Sequence, residues 1–306
     1  MKRYKIIRSV LCILLIVAAF FGVLFFPEAE EEEKRETRVV RVWNVDTFEG
    51  GKGSRTSFLK RAAERVRKRG GAYYLITSMT AEGAEAAFAE GNYPDILSYG
   101  VGLEFSVERS LPLPYTFTAG QTDAGCLAVP WCRGEYALYS LSDDFEGTGE
   151  AVISRGGHNL PEVCASLEGI EGEERDSLTA YVSFLNGDYR YLLGTQRDAC
   201  RFQTRGVSVY RKPLSAYCDL YQYFSVFSSE KREDCNALLN ELLAQNSQTE
   251  LKDIGMLPVS DCVGRAPSAL ASKESLEELS NLARKKEGAE KIPKFLKTVE
   301  FSHKMW

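Results

Sequence analysis

The chain has 306 residues, of which 44% are hydrophobic and 26% are charged, and its formal net charge is -5 at pH 7. This length and composition are typical of a globular protein with one large or two smaller domains. The net charge is unlike the strongly basic balance of a nucleic-acid-binding protein, so no nucleic-acid partner is expected.

The first 27 residues have the pattern of a membrane segment. Basic residues among residues 1–8 precede an uncharged apolar run, residues 10–26, which ends at Pro27. About 17–25 apolar residues span a bilayer, and the basic flank of such a segment stays on the cytoplasmic side. We expect one uncleaved N-terminal transmembrane helix. A cleaved signal peptide is the alternative, although no small-x-small cleavage site follows the run.

An acidic segment, residues 28–38, follows the apolar run and has the composition of a solvated stalk. Both interpretations of the N-terminus put the remaining chain outside the cytoplasm. The expected localisation is therefore the cell membrane, as a single-pass protein with an extracellular domain.

Three strand patterns alternate with two helical patterns between residues 39 and 100. The segments "VVRVW", "AYYLITSM" and "YPDILSYG" have the composition of strands. A helix capped by Ser54 or Thr56 is predicted after the first strand, and residues 80–91 predict a shorter one. The first helix has an apolar face at helical spacing, formed by Phe58, Leu59, Ala62, Ala63 and Val66. The alternation predicts a parallel, doubly wound α/β sheet.

The pattern is less regular from Cys126 onward. Pro130 is predicted to break "CLAVPWCRGEYALYS" into a strand pair or a crossover, and the Gly- and Glu-rich residues 146–175 receive no element. Residues 176–202 predict a helix, a turn and a further helix or strand. Amphipathic helices are predicted at residues 229–248 and 272–288, the first with a buried stripe of Leu238, Leu239, Leu242 and Leu243.

The loop after the first strand, "FEGGKGSR", raises the question of phosphate binding. A Walker loop places its lysine directly before the serine or threonine that begins the helix. Here Gly53 separates Lys52 from Ser54, and the glycine spacing differs. Nucleotide binding is therefore not expected, whereas a small anion at the N-terminus of the following helix stays open.

The same loop carries two carboxylates, Asp46 and Glu49, of the kind that glycosidases use in pairs. The chain has only two histidines, His158 and His303, and no G-x-S-x-G or H-E-x-x-H motif. No catalytic residue, metal or cofactor is assigned on this basis.

A ligand cleft is the third interpretation of this loop. In a parallel α/β sheet, ligands bind beyond the carboxyl ends of the strands, where "WNVDTFEGG" and "SYGVG" both lie. Flat apolar faces and planar polar groups together suit a sugar or another polyol. The aromatic side chains could equally belong to the core. The candidates for this wall are Trp43, Asp46, Phe48, Glu49, Arg55, Ser98 and Tyr99.

Seven cysteines lie beyond the apolar run, at wide spacings and without a C-x-x-C motif. Their number is odd, and the spacing argues against a zinc site. An extracytoplasmic location permits disulfides, but we favour small buried hydrophobic side chains.

The succession "VVRVWNVDTFEGGKGSRTSFL", "AEGNYPDILSYG" and "AVPWCRGEYALYS" resembles the extracellular solute-binding proteins of ABC transporters, family 1, the sugar-binding type. The later segments "YLLGTQRD", "PLSAYCDLYQYFSVF" and "IGMLPVS" agree with it, so the resemblance covers most of residues 39–260. It implies a bilobal periplasmic-binding-protein-like (type II) fold with two α/β lobes and a hinge cleft. Lobe 1 would comprise residues 39–125 and 206–306, and lobe 2 residues 126–205.

The resemblance also implies a function without catalysis. Such a protein captures a small polar ligand, here a carbohydrate, and closes around it to signal occupancy to an ABC permease. Carried over by position, the ligand-binding candidates are Trp43, Asp46, Glu49, Arg55, Ser98, Tyr99, Trp131, Tyr136, Gln196, Arg197 and Tyr221. Trp131 and Tyr136 would lie at the hinge.

This chain departs from the family in its short mature part, its missing lipobox and its many cysteines. The alternative function is a membrane-tethered sensory or partner-binding domain of the same fold without transport. A glycoside-acting enzyme is the third candidate.

Overall fold

A nine-stranded mixed β-sheet organises the chain from Val39 onward. The computed structural model describes residues 13, 14, 17, 38–117, 120–146, 149–259, 270–285 and 290–296. The strand order is β2-β1-β3-β11-β6-β9-β7-β8, with β10 paired to β6, while β4 and β5 form a separate pair. The strands are β1 (Val39–Val45), β2 (Tyr73–Met79), β3 (Ile96–Tyr99), β4 (Gln121–Thr122), β5 (Gly125–Cys126), β6 (Val129–Ser140), β7 (Ala151–Arg155), β8 (Gly172–Asp176), β9 (Tyr191–Thr195), β10 (Tyr210–Pro213) and β11 (Asp219–Val226).

Helices cover both faces of the sheet. They are α1 (Arg55–Lys68), α2 (Ala81–Ala89), α3 (Pro161–Leu167), α4 (Ser177–Leu185), α5 (Gln196–Arg205), α6 (Arg232–Leu243), α7 (Gln245–Glu250) and α8 (Lys273–Arg284). Short 3-10 turns span Val107–Arg109 and Leu251–Ile254. The described residues from Val39 onward belong to one compact unit.

The predicted strand–helix alternation at the start of the unit is confirmed. β1 pairs in parallel with both β2 and β3. Ser54 caps α1 by accepting a hydrogen bond from the backbone N–H of Ser57. The predicted apolar face of α1 is buried, and it packs with α6 against one face of β1 and β2. α2 covers part of the opposite face.

The expected break at Pro130 is wrong, because β6 runs without interruption from Val129 to Ser140. Its pairing with β11 shifts register between Gln222 and Tyr223, which lie opposite Cys132 and Pro130. Proline has no N–H to give to a ladder, and a bulge removes the need for one. The bulge therefore lets proline stay inside a central strand.

The sheet is mixed: the first three strands are parallel, as the alternation of residues 39–100 predicts, and antiparallel pairs join them to the remaining strands. β11 runs antiparallel to both β3 and β6, and β9 runs antiparallel to β6. Strands β7, β8 and β9 are parallel to one another, and β7 and β8 lie in the stretch that received no element. The chain enters the second half of the sheet along β6 and returns along β10 and β11, which forces the antiparallel pairings.

The predicted membrane anchor, residues 10–26, lies outside the described residues apart from Ile13, Leu14 and Val17. Within the described ranges, no helix is long and apolar enough to cross a bilayer. Strand β6 pairs with β11, which belongs to predicted lobe 1, and with β9, which belongs to predicted lobe 2. The sheet therefore continues across the predicted lobe boundaries, which stay a prediction.

The cysteines of the described part are unpaired. Cys126, Cys132, Cys164, Cys218 and Cys235 are buried free thiols, and Cys200 is half-buried. Burial raises the pKa of Cys218 and of Cys235 to about 12. These side chains pack as small hydrophobic groups.

Candidate ligand site

The loop of residues 46–54 after β1, here called the lip loop, meets the ends of β7 and β9. The backbone N–H of His158, after β7, donates to the carbonyl oxygen of Thr47 over 2.7 Å. Nε2 of Gln196, after β9, donates to the carbonyl oxygen of Glu49 over 3.2 Å. Nη1 of Arg197 donates to the carbonyl oxygen of Gly51 over 2.8 Å. The carboxyl ends of parallel strands from the two halves of the sheet therefore face each other.

Close backbone approach fixes the lip loop. Gly157 has a φ of +66°, and a Cβ there would lie 2.3 Å from the carbonyl oxygen of Thr47. A Cβ on Gly51 would lie 2.0 Å from the carbonyl oxygen of Gly255. The carboxylate of Glu49 lies 3.7 Å from the guanidinium of Arg201. A side chain at Gly51 or Gly157 would collide with the neighbouring backbone, so only glycine fits at these two positions.

A buried hydrogen-bond network lies beneath the lip loop. Ser98 Oγ donates to Asn44 Oδ1 over 2.8 Å and accepts from Trp131 Nε1 over 3.1 Å. It also accepts from Gln222 Nε2 over 3.0 Å. All four side chains are fully buried. The network joins β1, β3, β6 and β11, so it fixes the floor of the predicted cleft.

Arg55 extends this network toward solvent. Its side chain is 1% exposed, and its Nε lies 2.9 Å from Oδ1 of Asp46, whose side chain is 40% exposed. Its Nη1 donates to Gln222 Oε1 over 3.2 Å, and its Nη2 donates to the carbonyl oxygen of Phe48. The guanidinium also stacks 4.2 Å above the centre of the Phe48 ring. A buried cation is costly unless it is paired, and these contacts compensate it.

Three of the predicted aromatic residues lie on the other face of the sheet. The Trp43 ring packs 5.8 Å from that of Phe88. Tyr99 is fully buried, its hydroxyl lies 3.1 Å from Ser225 Oγ, and burial raises its pKa. The hydroxyl of Tyr221 donates to Asp219 Oδ2 over 3.1 Å. These three rings pack in an apolar cluster that contains no residue of the lip loop.

The remaining predicted residues lie toward the second half of the sheet. Gln196 uses both ends of its amide, because its Oε1 also accepts from the N–H of Glu135 over 3.0 Å. Tyr136 is 2% exposed, and burial raises its pKa well above the ordinary value. The structure thus brings together Asp46, Arg55, Ser98 and Trp131 in the network, and Glu49, Gln196 and Arg197 at the lip loop.

A cavity of ≈ 380 Å³ lies beside His158, between Gly102 after β3, the loop after β7, and helix α8. Its polar lining includes Arg155, His158, Lys273, Glu277, Ser280, Asn281 and Arg284. None of the predicted site residues lines it. It is a mixed-charge cavity suited to a small polar molecule.

A buried carboxylate supports the wall of this cavity. Glu162 is 3% exposed, its Oε1 lies 3.3 Å from Arg284 Nη2, and it accepts a hydrogen bond from Ser280. Burial raises the pKa of Glu162. Glu174 pairs with Arg155 and Arg284 at 3.0 Å and 3.1 Å. These contacts fix α8 against the second half of the sheet.

The sequence interpretation missed two groups of residues. Asn44 and Gln222 form the centre of the network, and a lone amide inside an apolar strand is the signal that could have found them. His158 was missed because β7 was not predicted, so the glycines before it had no strand to follow. Helix α8 was predicted, but its position beside the loop after β7 was not.

The fold is similar to that of solved binding proteins for maltose and its oligomers. The maltose-maltodextrin binding protein of Alicyclobacillus acidocaldarius aligns with a TM-score of 0.57 at 10% identity, covering 85% of this chain and 100% of that one. A cyclo/maltodextrin-binding protein complexed with maltotetraose aligns at 0.52 with 10% identity, covering 85% and 96%. The Thermus thermophilus maltotriose binding protein aligns at 0.50 with 11% identity, covering 86% and 99%.

No protein-family model and no curated protein sequence matches the chain. The structural similarity therefore identifies the fold at a low level of sequence identity. All three neighbours are binding proteins.

Proposed function

We propose that the chain is the extracytoplasmic solute-binding component of an ABC importer. The observation that carries this proposal is that the carboxyl ends of β1, β7 and β9 face each other. Ligands of α/β folds bind beyond such strand ends. The contact of His158 with Thr47 places the ends of β7 and β1 together, and a polar cavity adjoins it. The fold neighbours, which bind maltodextrins, support the same function.

The proposed cargo is a small polar molecule, a sugar or an oligosaccharide. Hydrogen-bonding side chains of both charges line the cavity beside α8, and such groups suit a polyol. An ABC permease would receive the ligand. The N-terminal apolar run would hold the protein on the cell membrane with residues 39–306 outside, and this anchoring belongs to the proposal.

The alternative is a membrane-tethered sensory or partner-binding domain of the same fold. One observation favours it: Asp46, Arg55, Ser98 and Trp131 hydrogen-bond or pair within the protein, which leaves their polar groups engaged. Under this alternative, the closed lip loop is the permanent state of the domain.

A thermal-shift screen of the full-length protein distinguishes the two functions. The ligands are mono- and oligosaccharides including maltodextrins, with amino acids, polyamines and phosphate esters as other classes. A ligand at a hundredfold excess over Kd adds about 2.7 kcal/mol of stability and raises Tm by a few degrees. We expect a saccharide to do so.

Two variants locate the binding. Asn281→Trp places a large side chain in the cavity and should remove the shift, whereas Glu274→Trp, on α8 but outside the cavity lining, should keep it. If no ligand class raises the Tm of the wild type or of Glu274→Trp, the result would favour the tethered sensory domain. A saccharide shift that Asn281→Trp leaves intact would move the site away from this cavity.

A further inference from the structure

The strand β2 forms an open edge of the nine-stranded sheet. It pairs with β1 on one side and ends the strand order among the described residues. Its sequence, YYLITSM, contains neither a charged residue nor a proline. The strand at the other end, β8, reads GEERD. Charged residues protect an edge strand from pairing, so β8 has this protection and β2 lacks it.

A groove runs between this edge and helix α1. Its volume is ≈ 360 Å³, and it is lined by Lys60, Ala63, Glu64 and Arg67 from the helix and by all of residues 73–76 from the strand. Arg67 pairs with Glu64 at 2.7 Å. None of these residues belongs to the lip loop or to the cavity beside α8. The groove is therefore a second, separate surface.

The two faces of β2 differ in chemistry. Tyr74 and Ile76 face α1, while Tyr73 and Leu75 point to the opposite face and are 49% and 50% exposed. Val39 of β1 pairs with Tyr73 and is 40% exposed, which continues this apolar face. An added strand would thus meet a basic helix on one face and apolar side chains on the other.

The helix that borders the groove is strongly basic. Its sequence, RTSFLKRAAERVRK, contains six basic residues and one acidic residue, and Arg55, Arg65 and Arg67 among them pair with carboxylates of the protein. Lys60 and Arg67 are exposed in the groove wall, and Lys68 is exposed outside it. Charge complementarity therefore selects an acidic partner at the helical face of the groove.

We propose that the β2 edge binds an extended peptide segment of a partner protein in which acidic residues alternate with apolar ones. Main-chain hydrogen bonds to β2 would supply affinity, as in other strand-addition complexes. Successive side chains of a strand point to opposite faces, so acidic residues would contact Lys60 and Arg67 and apolar residues would contact Tyr73 and Leu75.

The test uses the purified full-length protein and two labelled synthetic peptides. One alternates glutamate with valine and the other alternates lysine with valine. Fluorescence anisotropy should show binding of the glutamate peptide alone. Hydrogen–deuterium exchange should show new protection at residues 73–79 when that peptide is bound.

Matched variants separate the groove from general charge. Lys60→Glu should weaken binding of the glutamate peptide about tenfold or more. Lys68→Glu makes the same charge change on the same helix outside the groove and should leave binding unchanged. Leu75→Lys should abolish binding, whereas Leu178→Lys, at a side chain that is 58% exposed elsewhere, should not.

Several results would overturn the proposal. They are equal binding of the two peptides, protection that lies outside residues 73–79, and equal effects of Lys60→Glu and Lys68→Glu. Binding to phosphatidylserine vesicles that Lys60→Glu weakens, with no peptide binding, would instead assign the surface to a membrane.

Discussion

The backbone N–H of His158 and the carbonyl oxygen of Thr47 lie 2.7 Å apart and join the loop after β7 to the lip loop. Gly157 makes this approach possible, because its φ of +66° and its missing side chain let the two backbones touch. The contact connects the two halves of the sheet at the end where the proposed ligand binds.

Gly157→Val should therefore open the lip loop. Its Cβ would stand 2.3 Å from the carbonyl oxygen of Thr47, so one of the two loops must move. We expect faster hydrogen–deuterium exchange at residues 46–54 and an increased radius of gyration. The control is Gly187→Val, which has a similar φ of +82° but no atom within 4 Å of its Cβ. Equal exchange in the two variants would show that the contact does not hold the loop.

Ser98→Ala should destabilise the protein. Its hydroxyl accepts hydrogen bonds from Trp131 and Gln222 and donates to Asn44, and all of these groups are buried. Leaving such groups unsatisfied costs about 1–3 kcal/mol. Urea unfolding measures the loss. The exposed Ser78→Ala should change the free energy of unfolding by about 0.5 kcal/mol or less. If Ser98→Ala also lowers the free energy of unfolding by only about 0.5 kcal/mol or less, a water molecule has replaced the hydroxyl.

Alkylation of the native protein should discriminate among the cysteines. Cys200 is half-buried and should react slowly with iodoacetamide, because burial raises its pKa. Cys126, Cys132, Cys164, Cys218 and Cys235 are buried and should react only after unfolding. Peptide mapping by mass spectrometry assigns each site. Rapid native labelling of Cys132 or Cys235, or a disulfide at either, would contradict the packing described above.

Glu162→Gln should reduce the dependence of stability on pH. Burial raises the folded-state pKa of Glu162, so the native protein holds this proton more tightly than the unfolded chain does. Stability therefore falls as pH rises from the unfolded pKa toward the folded one. Arg155, Arg284 and Glu174 remain paired with one another in the variant. Relative to wild type, the variant should gain stability between about pH 4.5 and neutral pH.

Urea midpoints measured across this pH range test the effect. Glu173→Gln is the matched control, because hydrogen bonds from Arg175 and Tyr189 lower the pKa of Glu173. Its linkage has the opposite sign, since a lowered carboxyl pKa contributes stability that is lost as pH falls. An unchanged pH slope in Glu162→Gln would mean that Glu162 has the same pKa in the folded and the unfolded protein.

The first elements were predictable because each has a strong local pattern. The apolar faces of α1 and α6 follow helical spacing, and β1, β2 and β3 are bounded by turn residues. Of the predicted stripe on α6, Leu238, Leu239 and Leu242 are fully buried and Leu243 is half-buried. Local periodicity sufficed where one face of an element meets one core.

The second half of the sheet was less predictable. β8 is short and charged because it is an edge strand, so it lacks the apolar alternation of a buried strand. Pro130 is tolerated through a bulge that depends on β11, which lies far along the chain. Neither feature can be found in a local window of sequence.

The placement of the site residues depends on which face each strand presents. Ser98 and Tyr99 are neighbours in β3, so their side chains point to opposite faces and only Ser98 enters the network. Trp43 and Asn44 are related in the same way, as are Tyr221 and Gln222. The sequence pattern predicted β1 and β3 as strands, but it did not show on which face of the sheet each side chain lies. The role of the predicted residues in ligand binding stays a prediction.

The position of β11 in the sheet sets the order of assembly during synthesis. Asp219–Val226 lies between β3 and β6, although both of these strands are synthesised long before it. Until residue 226 has been synthesised, one edge of β3 has no strand to pair with. The strands β2, β1 and β3 cannot join the rest of the sheet before then. Such late, non-local pairing slows folding and exposes strand edges to aggregation. A chain exported outside the cytoplasm would complete this step only after most of it has been translocated.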